Sequence, residues 1–256
     1  IYTWDATSIS IDDSTVTGWS IVEYGIGLCA IHILNSKLQS LFITSDGQIS
    51  VSISNSEFFS AVVLLFPSTP EGELSTQISN SYIPVLDIVF FSIDPNVELE
   101  NLNKGTVEYW AFSNEHENLT ITNSIINCWS INVDSQQTLC LSNSDVDLGL
   151  SFWSLPTTET VNLTLRTGFF QCEHIYVENI INVTINNSTI NSWWCSVDCG
   201  GAFQFLNSSC SLSIKPRGPS SIVISNSTVL DLYVHFEYSR ARKGTLTIID
   251  SEVNFA

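Results

Sequence analysis

Methionine is missing from all 256 residues, including the first. A translated chain starts with methionine, so the expectation is that a secretion signal was removed. Bases are scarce. Eight Lys and Arg stand against 26 Asp and Glu, for a formal charge of −18. Such a surface repels polyanions, which argues against nucleic acid and anionic bilayers as partners. No apolar run reaches the roughly 18 residues of a spanning helix. The run Ala61–Phe66 stops at Pro67 and reads as a strand. There is no nucleotide-binding loop, zinc-protease motif or nucleophile elbow, and His32, His116, His174 and His235 are scattered.

What the chain does have is a repeat. Asn-Ser recurs after two alternating apolar residues, as in Ile53-Ser54-Asn55-Ser56 and Ile224-Ser225-Asn226-Ser227. The anchors are Asp13, Asn35, Asn55, Asn80, Asn101, Asn123, Asn143, Thr167, Asn187, Asn207, Asn226 and Asp250, spaced by 19 to 25 residues. A period of this length marks a solenoid. Two residues before every anchor lies Ile, Leu or Phe, and four before it only Thr76 is polar. Alternation with Ile and Val enrichment reads as a strand with one buried face. Three residues after the anchor the chain is apolar again, except at Lys104, and a second alternating strand follows.

Each repeat therefore predicts strand, Asn corner, strand and variable loop. Equal elements can bury their faces only on neighbouring copies, so the fold expected is an all-β parallel solenoid of about 12 coils. It is either a right-handed β-helix or a stack of β-arches, forming one domain over residues 1–256 and a rod of roughly 50 to 60 Å. A β-sandwich is the rival, but it would not hold every Asn in one register. Continued alternation turns the anchor side chain inward. That predicts a buried ladder of Asn35, Asn55, Asn80, Asn101, Asn123, Asn143, Asn187, Asn207 and Asn226, with amides bonded to the corner backbone and to each other. Thr167 is expected to rely on the flexibility of Gly168. Turns are expected on one edge, at Ser45–Gly47, Pro67–Gly72, Asp94–Asn96, Asp134–Gln136, Pro156–Glu159, Lys215–Pro219 and Arg240–Gly244.

The Asn series resembles the internal asparagine ladder of right-handed parallel β-helices. That group includes pectate-lyase-type enzymes, phage tailspikes and large bacterial or archaeal surface proteins. A weaker resemblance is to disulfide-linked proteins of archaeal cell sheaths. The likeness implies a solenoid and leaves the chemistry open.

Other features agree with secretion. Of seven N-glycosylation sequons, parity turns Asn118, Asn162, Asn182 and Asn186 outward, while Asn187, Asn207 and Asn226 are expected inside. Seven cysteines, Cys29, Cys128, Cys140, Cys172, Cys195, Cys199 and Cys210, are disulfide candidates. An odd number leaves one free or joined to another chain. Cys128 and Cys172 share a phase two coils apart, too far for a direct bridge. Cys195, Cys199 and Cys210 form a local group, with Cys210 in a core phase. No confident metal site emerges.

Catalytic sets are thin. A lyase or glycosidase needs carboxylates, and a basic residue such as Arg166 or Arg217, at one phase of adjacent coils. The best acidic ridge, Asp94, Glu115, Glu117 and Asp134, and the pair Asp145 and Asp147 are candidate cation sites, so Ca2+ is the one cofactor the sequence suggests. The expected function is non-enzymatic: a structural subunit of an extracellular sheath, surface layer or fibre. It would self-associate through uncovered terminal coils and disulfides, with glycans as further partners. A secreted polysaccharide lyase or glycoside hydrolase and a glycan-binding adhesin are the alternatives.

Overall fold

A computed structural model describes residues 7–18, 29–44, 47–66, 73–91, 94–112, 117–133, 137–152, 160–177, 180–197, 200–236 and 244–255. The fold is an all-parallel β-solenoid. Its first sheet has twelve strands, from Thr7–Asp12 to Gly244–Ile249, in chain order. Each ends one residue before an anchor. The second sheet has eleven strands, from Leu41–Thr44 to Glu252–Phe255, again stacked in order. Among the described residues no helix is long and apolar enough to cross a membrane.

The coils are not uniform, which corrects the expectation of about twelve equal two-strand turns. Eight of them, with anchors from Asn101 to Asp250, carry one second-sheet strand starting two residues after the anchor. Nearer the N-terminus the second side is broken. Thr15–Val16, Lys37–Leu38 and Glu57–Phe58 form a separate three-stranded sheet. At the next coil Tyr82 makes an isolated bridge to Glu57, and Pro84 precedes the strand Val85–Phe91. Proline has no N–H to give the ladder, so the side is interrupted there.

The inward columns are those the alternation predicts. Ile31, Ile33, Val51, Ile53, Leu119, Ile121, Ile185 and Ile224 are at most 1% exposed. Fully burying such a side chain stabilises by about 1.5–3 kcal/mol. Tyr109, Phe58, Phe66, Phe170, Phe203 and Phe205 are the largest fully buried side chains of the core. Thr76, the polar exception, is also buried, and its Oγ1 has no hydrogen-bond partner among the described residues.

Lys104 breaks the pattern for a structural reason. Asn103 pairs with Ile125 and Gly105 with Ile126, so Lys104 is the extra residue of a bulge. Gly105 fits because a Cβ there would lie 2.2 Å from the Ile83 carbonyl oxygen. The turn expected at Asp94–Asn96 is instead part of the strand Asp94–Glu100. Lys215 and Pro216 likewise finish the strand Ser209–Pro216. Ser45, Asp46, Pro67–Gly72, Asp134–Gln136, Pro156–Glu159 and residues 240–243 lie outside the described residues.

Candidate functional site

The corner is where local chemistry departs most from simple alternation. All twelve anchors, including Thr167, have φ between 45° and 53°. Asn and Asp tolerate this left-handed backbone better than most residues. A left-handed residue turns the chain and resets the parity. The anchors from Asp13 to Asp250 are consequently exposed, which overturns the buried Asn ladder. Where amides do meet, they meet on the surface: Asn101 Nδ2 donates to Asn80 Oδ1 at 2.8 Å. Thr167 takes the left-handed conformation itself. Gly168 fills the next position because a Cβ would sit 2.4 Å from the Ser144 carbonyl oxygen.

The inward place belongs to the residue after the anchor. Ser36, Ser56, Ser81, Ser124, Ser144, Ser188, Ser208 and Ser227 are at most 5% exposed. Each hydroxyl donates to the carbonyl two residues earlier, as Ser124 Oγ does to Thr122 O at 2.8 Å. Ser36, Ser56, Ser81, Ser124, Ser144, Ser208 and Ser227 also accept a backbone N–H from the preceding coil. Leu102 N donates to Ser124 Oγ at 3.1 Å, and Ser124 N to Ser144 Oγ at 3.1 Å. Backbone bonds close the same corner, for example Asn123 N to Ser142 O at 3.0 Å. A serine thus gives a backbone N–H of the preceding coil its acceptor, and adds a second bond to a carbonyl that already accepts a backbone N–H.

The sequons change rank accordingly. Asn187, Asn207 and Asn226 are exposed and line an open groove along the corner. Asn118 and Asn182 are exposed, whereas Asn162 and Asn186 are half-buried. Asn182 Nδ2 donates to Asn162 Oδ1 at 3.2 Å, and Asn207 Nδ2 to Asn186 Oδ1 at 3.3 Å.

Among the described residues no disulfide is seen. Cys210 is a buried thiol, and burial pushes its pKa up to about 12. Cys195 is also buried, five positions from the residue that pairs with Cys210, so the two are not neighbours. Cys140 is a half-buried unpaired thiol. Cys128 and Cys172 both pair with Leu148, one on each side, at the two-coil separation expected. Cys29 lies in the strand Cys29–Leu34, and Cys199 is outside the described residues.

The acidic ridge is only partly placed. Glu115 and Asp134 lie outside the described residues. Asn96 pairs with Asn118, so Asp94 and Glu117 stand one position out of register. Asp145 and Asp147 lie two apart in one strand, pairing with Ile125 and Asn127. Among the described residues no group of three or more His, Cys, Asp or Glu is arranged to hold a metal. One unpredicted acid pair is Asp87 and Glu108, cross-strand neighbours in the second sheet. Partial burial, and then the Glu108 charge, raises the Asp87 pKa above its usual value. Arg166 and Arg217 are both exposed, 51 residues apart in sequence and on different sheets' ends: Arg166 closes a first-sheet strand, and Arg217 follows the second-sheet strand Ser209–Pro216.

Two surface features stand out. On the outer face of the second sheet, Trp194 and Tyr233 are each 43% exposed. Both pair in register with Ser213, from opposite sides. Lys215 Nζ lies 5.1 Å from the Trp194 ring and 5.8 Å from the Tyr233 ring. Trp194 and Tyr233 share the same offset from their anchors, Asn187 and Asn226, a sequence signal that would have found them. The other feature is the coil of Asp250. Leu246 and Ile248 are 37% and 38% exposed, although their partners Ile222 and Ile224 are fully buried.

Comparison with family models, curated proteins and solved structures finds no match to this chain.

Proposed function

We propose that the chain is a structural subunit of an extracellular assembly, such as a cell sheath, surface layer or fibre, in which solenoids join coil on coil. The observation that carries this reading is the repeat itself: both sheets stack strand on strand in chain order, with parallel coil-to-coil pairing. In the Asp250 coil Leu246 and Ile248 continue columns that are buried in the coil below, and that face fits a further strand of matching period. A second copy supplies such a strand. Parallel stacking suits a load-bearing element, because each coil is held by a full row of backbone bonds.

The secreted character we propose rests on the sequons and the acidic composition. The resemblance to sheath and surface proteins is consistent with this role.

Sedimentation velocity and electron microscopy test it on the wild type and on Ile248→Asp. The wild type should form end-on oligomers or fibres as concentration rises. The substituted chain should keep its circular dichroism and remain single rods, because a carboxylate would be buried at the joint. Wild-type rods that stay single at every concentration would refute the reading.

A further inference from the structure

We infer that Trp194, Lys215 and Tyr233 form a binding strip for a carbohydrate chain bearing carboxylate groups. The three side chains lie on the outward face of the second sheet, while Cys195 and Ile214 beside them point into the core. Trp194 and Tyr233 flank one rung, so their backbones stand about 9.6 Å apart, two strand spacings. The residue between them is Ser213, and the Lys215 ammonium sits in reach of both rings across it.

Pyranose rings present flat C–H faces that stack on aromatic rings, and two aromatic residues whose backbones stand about 9.6 Å apart suit successive disaccharide units of an extended chain. The charge decides which sugars. Lys215 is one of only 8 bases in a chain with 26 acids. Among the described residues it has no carboxylate within ion-pair distance; the ion pair seen there is Lys37 with Glu57. Its ammonium is held instead against two aromatic rings, an arrangement that fixes a cation without neutralising it. His235, stacked on Tyr233 with centroids 6.3 Å apart and planes 8° apart, extends the strip. A fixed, unneutralised cation between stacking surfaces selects a carboxylate on a sugar. A nucleic acid would also stack and pair with the lysine, but its dense charge meets the repulsion of a −18 protein. A uronate chain carries its charges farther apart.

The test is isothermal titration of the full chain with a glucuronate-containing tetrasaccharide and with its carboxyl-reduced counterpart. The acidic sugar should bind, and the reduced one should bind at least tenfold more weakly. Trp194→Ala or Tyr233→Ala should weaken both sugars. Lys215→Gln should weaken only the acidic one, bringing the two affinities together, and it leaves the aromatic rings in place should either alanine variant misfold. Ile248→Asp should bind like the wild type, which keeps this result separate from self-association. Absence of binding by the wild type, or full binding by Lys215→Gln, overturns the inference.

Discussion

The outer and inner rows of the corner are neighbours in sequence and opposites in physics. Asn123 and Ser124 differ by one residue. The first is exposed and left-handed, and the second is buried with a right-handed or extended backbone. The outer row is chosen for what its backbone tolerates. The inner row is chosen for what its side chain can bond. An amide inside would need partners for three or four hydrogen bonds from its two polar atoms, whereas a hydroxyl is satisfied by one carbonyl and one N–H. The corner provides those two groups where a serine follows the anchor; Leu102 and Gly168 take that place in the coils of Asn101 and Thr167.

Substitutions at the two rows should therefore fail differently. Ser124→Ala should have the larger effect, a loss of about 1–3 kcal/mol, because it leaves the buried Leu102 N–H without its acceptor, whereas the Thr122 carbonyl keeps the Asn101 N–H. Urea denaturation would measure it. Asn123→Leu should cost about 1–2 kcal/mol through left-handed strain alone. Asn123→Gly should be nearly neutral or slightly stabilising, since glycine takes positive φ freely. If glycine at 123 cost as much as leucine, the outer amide would have a bonding role that this account denies.

A smaller effect is expected away from the corner. The Asp87 pKa is raised, so its ionised form is disfavoured by folding. Its contribution to stability is present at low pH and is lost as pH rises through the carboxylate range. Asp87→Asn should raise the melting temperature near pH 7, and the gain should disappear near pH 3. Smallest of all is the surface pair Lys37 and Glu57, 2.7 Å apart but largely exposed. Lys37→Ala should change stability by less than about 1 kcal/mol.

Much of the fold was legible in the sequence because the repeat states it twelve times. The apolar columns two and four residues before each anchor fix the strands, their inward face and their coil-to-coil register. The corner was misread because alternation was carried through a left-handed residue. The signal was present: apolar residues lie two before and three after the anchor, an odd separation of five that strict alternation does not allow on one face. One reset of parity explains both, and puts Ser rather than Asn inside. Lys104 was an exception to the pattern until pairing showed a bulge. The shared offset of Trp194 and Tyr233 was also readable. Their meeting with Lys215 was not, because the second sheet has a register shift between Cys210 and Leu212.

Amide hydrogen exchange at Leu102 tests the central claim most directly. Its N–H is bonded to Ser124 Oγ, on the next coil. The account predicts strong protection in the wild type and in Asn123→Gly, and its selective loss in Ser124→Ala while neighbouring strand amides stay protected. Protection that survives Ser124→Ala but is lost in Asn123→Gly would contradict it and return the ladder to asparagine.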